Sequence, residues 1–160
     1  MKDKYIVKGL FVCAVVLSGL LPAFAGDSLF GKVTEVRSAS VVVLDYGTGQ
    51  YIIDIMGVTV PKEGPIASEA KQFVESLVLG KNARMRLGSR LENGEMSCQL
   101  LTADPEVGIK DVGLELVRSG LAQRKQGEDY QFGYKYGELT KAENEAREAK
   151  RGIWAQTQPK

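Results

Sequence analysis

Ile53-Asp54-Ile55-Met56-Gly57-Val58-Thr59-Val60-Pro61 is the stretch on which the reading of this chain turns. Its first four residues are apolar around a single carboxylate and continue from Tyr51, so residues 51–56 read as a short, isoleucine-rich strand. Gly57 breaks the run and Pro61 removes a backbone donor, which makes 57–64 a loop. Upstream, Tyr46-Gly47-Thr48-Gly49 supplies the glycines of a tight turn. Beyond it lie a second strand at 40–45, with Val41-Val42-Val43, and a first at 29–36. Downstream, Pro65 and Ser68 open a helix with Ala70, Phe73, Val74 and Leu77 at helical spacing, and Gly80 closes it. Ala83-Arg84-Met85-Arg86-Leu87 alternates as a half-buried strand, and Asn93-Gly94 turns the chain into a fifth strand at 96–102.

After Pro105 the pattern becomes helical. Val112, Leu116 and Val117 mark one face of a short helix ending at Ser119-Gly120, and 123–129 reads as a polar loop. A last helix is expected at 134–151, with Leu139, Ala142, Ala146 and Ala149 on one stripe and a supporting Glu143–Arg147 pair. Gly152 is the expected stop, with Ile153-Trp154 as an apolar anchor. This order predicts an α+β, mainly β, fold: a five-stranded Greek-key OB barrel carrying about three helices.

Residues 1–25 read as a signal peptide, and 26–160 as the folded domain. Lys2, Lys4 and Lys8 precede the apolar run 9–21, and Ala23-Phe24-Ala25 gives a small-x-small cleavage site, so the protein is expected to be exported, periplasmic or secreted. An uncleaved anchor is the other reading of the same segment. The leader holds three Lys and one Asp, so of the 21 basic and 20 acidic side chains 18 and 19 remain downstream, net −1. That balance lacks the basic excess of a polyanion binder, and nucleic acid is not the favoured partner. Cys98 would be the one cysteine left, a small core residue with no intrachain partner, and the chain has no histidine.

Several stretches resemble the staphylococcal nuclease-like (thermonuclease) family. Its third strand ends roughly Arg-Leu-x-Gly-Ile-Asp-x-Pro-Glu, which the 53–61 stretch follows in frame. Glu69-Ala70-Lys71-x-Phe73 with Gly80-Lys81 is similar to its first helix, and Leu116-Val117-Arg118-Ser119-Gly120-Leu121-Ala122 to its Leu-Val-x-x-Gly-Leu-Ala signature. Ala142-Glu143, Ala146-Arg147 and Gly152-Ile153-Trp154 resemble its C-terminal ending. The resemblance implies a calcium-dependent phosphodiesterase site, yet the positions that would carry it read differently here. Ala39, beside Ser40, stands at the first calcium aspartate, Asp54 at the phosphate-binding arginine and Thr59 at the second calcium aspartate. Lys62 stands at the catalytic glutamate, or Glu63 with a one-residue slip, and the second arginine falls at Gln99 or Leu100. The nucleotide-stacking tyrosines expected after Ala122 are replaced by Arg124, Gln126 and Glu128.

Phosphodiester hydrolysis needs positive charge on the phosphate and an activated water, which a metal with arginines supplies. Calcium takes about six to eight oxygens, carboxylates among them. The substituted set therefore points to a binding module without cofactor, with Ala39, Ser40, Asp54, Thr59, Lys62 and Gln99 marking its surface and a protein, glycan or small molecule as its ligand. A second reading is a secreted nuclease with Asp45, Asp54 and Glu63 around calcium or another divalent metal and Lys62 or Arg37 on phosphate. A third is a purely structural envelope protein. Arg84, Arg86 and Arg90 form a basic strip or a solvated outer face, and lack the interleaved aromatics of a single-strand binder. Tyr130, Phe132, Tyr134 and Tyr136 either pack the last helix on the barrel or offer stacking surfaces. Lys62-Glu63 is a candidate loop ion pair.

Overall fold

The structure, a computed structural model, describes residues 28–126 and 137–155. The leader, the expected cleavage site and the aromatic cluster from Tyr130 to Tyr136 lie outside the described residues. Strands β1 (Ser28–Val36), β2 (Val41–Asp45) and β3 (Gln50–Ile55) form an antiparallel meander. After the two-residue β4 (Val58–Thr59) come helix α1 (Pro65–Val78), β5 (Asn82–Arg90) and β6 (Met96–Thr102). The strands close into a barrel in the order β1-β2-β3-β6-β5, with β5 returning to β1. The β3–β6 pairing is parallel, Ile53 opposite Met96 and Ile55 opposite Cys98, and the other pairings are antiparallel.

Alternation along the strands decides what faces inward. Ile53 and Ile55 on β3 and Cys98 and Leu100 on β6 are buried in the barrel, each full aliphatic burial contributing about 1.5–3 kcal/mol. Helix α1 adds Ala70, Val74, Leu77 and Val78 to this core. Helix α2 (Val112–Arg118) lies against β6, and Asp111 caps it by accepting from the Leu114 N–H at 2.9 Å. Then follow the two-residue β7 (Gln123–Arg124), helix α3 (Glu138–Glu148) and a single 3₁₀ turn, Gly152–Trp154.

Some boundaries differ from expectation, each for a physical reason. The 57–64 and 123–129 segments are not wholly loop: Val58 pairs with Arg124 and Thr59 with Gln123 in a small ribbon. Two residues per strand are too few to show periodicity. The last helix ends at Glu148, short of 151, because Lys150 takes φ 52 and the Arg151 N–H reaches back to the Ala146 carbonyl at 2.9 Å. That is a Schellman closure on a lysine, ahead of the expected Gly152 stop. Ala149 therefore leaves the stripe and is exposed. Residues 134–136, where this helix was expected to begin, lie outside the described residues.

The end of α2 and the end of the described chain meet backbone to backbone. Gly120 has φ 72, and a Cβ there would lie 2.3 Å from the Arg151 carbonyl oxygen. A Cβ on Gly152 would lie 2.1 Å from the Gly120 carbonyl oxygen. The Ile153 N–H donates to that same Gly120 carbonyl at 2.9 Å. Trp154 closes the seam with Arg147 over its ring, 4.1 Å from the centroid.

Candidate functional site

The turn from β1 to β2 is built by one serine. Ser38 Oγ accepts from the backbone N–H of Ser40 (3.3 Å) and of Val41 (3.1 Å), the hydroxyl-to-backbone pattern that stabilises such turns. The turn is anchored to β3 where the Ile55 N–H donates to the Ser40 carbonyl at 2.7 Å. Ala39 consequently points inward and is buried in the core cluster. Across from this turn, the chain leaves β4 through Val60 and Pro61 and starts α1 at Pro65. Gly64 at φ 91 supplies no side-chain cap, and the first turn carries no acidic residue.

Between the two walls lies an open cleft of about 460 Å³. Arg37, Ser38, Ala39 and Ser40 form one side, and Val60 to Gly64 with Ala67, Ser68 and Lys71 form the other. Its lining holds three cations, Arg37, Lys62 and Lys71, against one carboxylate, Glu63. Arg37 Nε sits 3.2 Å from Glu35 and Lys71 Nζ 3.8 Å from Glu75, both exposed pairs of little strength. The Lys62–Glu63 pair is not formed among the described residues, and both side chains are exposed in the loop.

The six residues singled out by position do not converge on one point. Ala39, Ser40 and Lys62 line the cleft. Asp54 lies between inward-facing Ile53 and Ile55 and so points to the outer face, registered with Val41 on one side and Ser97 on the other. Gln99 lies two residues beyond Ser97 on that face, buried beneath the start of α2. It accepts from Arg86 at 3.3 Å and donates to the second carboxylate oxygen of Asp111, which spends both its amide atoms within the fold. Thr59 is exposed on the β4–β7 ribbon.

The acidic trio proposed for a rearranged metal site is not assembled either. Asp45 caps the β2–β3 turn by accepting from the Gly47 N–H at 2.8 Å. Asp54 pairs at the far end of the same ladder, about 13 Å away at the usual rise per residue. Glu63 belongs to the cleft's opposite wall. Among the described residues no three His, Cys, Asp or Glu side chains are grouped to hold a metal ion. The cleft itself does not fit calcium: Ala39 turns a methyl into the core, the Ser38 hydroxyl is committed to the turn, and cations outnumber the carboxylate.

Elsewhere several polar groups are engaged with the fold. Arg84 stacks on exposed Phe30, 5.8 Å to the ring centroid, and Arg86 serves Gln99, so neither stands in a free basic strip. Cys98 is buried, and desolvation pushes its thiol pKa up, against a backbone hydrogen bond from Gly88 and with the nearby Asp54 charge adding to the rise. Glu143 pairs with Arg147 at 3.3 Å as its spacing suggested. It is also buried and accepts from the Arg124 N–H at 3.2 Å, tying α3 to β7.

Lys71 and Ser68 are the cleft residues that sequence reading missed. They stand three apart on α1, one helical step on the face beside the Ala70–Val74 stripe, a spacing that marks a shared face but not what it looks at. A family model described as staphylococcal nuclease homologue matches residues 53–156. No curated protein matches the chain.

Proposed function

This chain belongs to the staphylococcal nuclease homologue family, and from that premise we propose that it is an exported domain of that architecture which has lost phosphodiester hydrolysis and acts as a binding module. The observation that carries the reading is the cleft lining: a buried alanine methyl and Lys62 stand where the resemblance implies a calcium aspartate and the catalytic glutamate, and Arg37 and Lys71 add further positive charge beside them. A cleft so charged repels a divalent cation. Without that metal, the cleft's single carboxylate, Glu63, has no Lewis acid beside it to help activate water. On the outer face, Asp54 would meet a phosphodiester with like charge. Loss of one such stabilising group commonly costs a hundred-fold or more in rate.

Export rests on the leader, with Lys2, Lys4 and Lys8 before an apolar run and Ala23-Phe24-Ala25 behind it. N-terminal sequencing of the protein recovered outside the cytoplasm is expected to begin at Gly26. Recovery of an intact Met1 chain in the membrane fraction would replace the signal with an anchor.

Hydrolysis is tested directly with the purified protein and fluorescently labelled single-stranded DNA and RNA, in calcium, magnesium, manganese or chelator. The expected result is no metal-dependent cleavage. Metal-dependent cleavage that vanishes in Asp54→Ala would overturn the reading and establish a rebuilt nuclease site. Cleavage unchanged by Asp54→Ala and by Glu63→Ala alike would mark a contaminating enzyme, and the reading would stand.

A further inference from the structure

The misfit between this cleft and calcium has a positive side. We infer that the cleft between the β1–β2 turn and α1 is a site for a small organic anion, an apolar body bearing a phosphate or carboxylate head. This inference rests on the reading of the domain as a binding module and names the chemistry of its ligand.

Charge is the first argument. Arg37, Lys62 and Lys71 come from three separate segments, the β1–β2 turn, the loop after β4 and the second turn of α1, and line one concavity. Their acidic neighbours Glu35 and Glu75 lie outside the lining and hold them only through exposed pairs. Such pairs are worth little, so a ligand oxyanion that takes both cations displaces weak competitors. Lys62 has no ion-pair partner in the described residues. Partial positive charge from the N-terminal end of α1, free of acidic side chains in its first turn, adds to the same wall.

Shape is the second argument. About 460 Å³ is far more than a bare oxyanion fills, and lies in the range of small-molecule clefts. Ala39, Val60, Pro61 and Ala67 supply apolar lining between the cations. A ligand with a short carbon body uses that surface, which a free inorganic ion leaves unused.

The test is titration of the purified, ¹⁵N-labelled protein with inorganic phosphate, propyl phosphate, acetate and butyrate, against sodium chloride of equal ionic strength. Amide shifts are expected at 37–40 and 62–68, with propyl phosphate or butyrate binding at least threefold tighter than its bare head. The phosphate and acetate series identify which head is preferred. Lys62→Glu with Lys71→Glu is expected to weaken binding at least tenfold while lowering Tm only slightly, since both side chains lie at the surface and the Lys71–Glu75 pair it reverses is weak. Calcium is expected to shift none of these amides. Anion shifts that persist in the double variant, the absence of shifts with all four anions, or calcium shifting the cleft amides would each overturn the inference. The labelled-substrate assay on the same preparation separates the two readings. No cleavage with no anion shifts removes the anion site alone, and metal-dependent cleavage lost in Asp54→Ala removes the binding module itself.

Discussion

At the seam between α2 and the chain's end, two glycines approach so closely that a Cβ on either would sit within 2.3 Å of a backbone oxygen of the other strand of chain. At the cleft, the β1–β2 turn and the start of α1 stand apart around about 460 Å³ and face each other with side chains. The seam and the α1 wall of the cleft lie within the residues the family model matches, 53–156, and the β1–β2 turn lies ahead of them. In the seam the constraint is steric and falls on the backbone, so the residue type is dictated by the fold. In the cleft the backbone is held from within, by Ser38 and by the Ser40 carbonyl, and the side chains that look into it are free to carry any chemistry. That difference shows how a fold of this kind can be held by its backbone while the charge of its cleft is left open to change.

The comparison breaks first at the seam. Gly120→Ala combines a left-handed φ with a contact against the Arg151 carbonyl, and is expected to lower stability by about 3 kcal/mol or more. Urea unfolding monitored through Trp154 fluorescence measures it, and a loss under 1 kcal/mol would show that the seam yields. A smaller effect belongs to the scaffold of the cleft. Ser38→Ala removes the acceptor for two backbone N–H groups, and is expected to cost about 1 kcal/mol. The same unfolding experiment reads it, and no change would mean that water replaces the hydroxyl. The smallest effect is on the side chains themselves: reversing Lys62 and Lys71 should lower the melting temperature only slightly, through the weak Lys71–Glu75 pair, and chiefly change the ligand response.

Much of the architecture was legible in residue order. Strand β6 spans the residues its apolar run and the Asn93-Gly94 turn suggested, and of the α1 stripe Ala70, Val74 and Leu77 are buried while Phe73 is half-buried against the core. What escaped notice has no local signal. The β4–β7 ribbon joins two pairs of residues more than sixty positions apart, and the Gly120–Gly152 contact is a meeting of backbones. The candidate site was less legible. Ala39, Ser40 and Lys62 share one cleft, but strand alternation turns Asp54 and Gln99 to the barrel's outer face, and Gln99 is consumed by Arg86 and Asp111. Lys71 was read as part of a helix match, because helical spacing reports which residues share a face and not what lies across from it.

The closed order β1-β2-β3-β6-β5 leaves the main sheet without a long free rim, since β5 returns to β1. Among the described residues, what is left for a visiting peptide to extend is short: residues 50–52 of β3 have no ladder partner on the β6 side, and the ribbon of β4 and β7 offers two residues per strand. Recognition by adding a strand is poorly served by so little edge. What docks on the barrel is chosen mainly by side chains and clefts, so its specificity can be rewritten by point substitution without disturbing the ladder beneath.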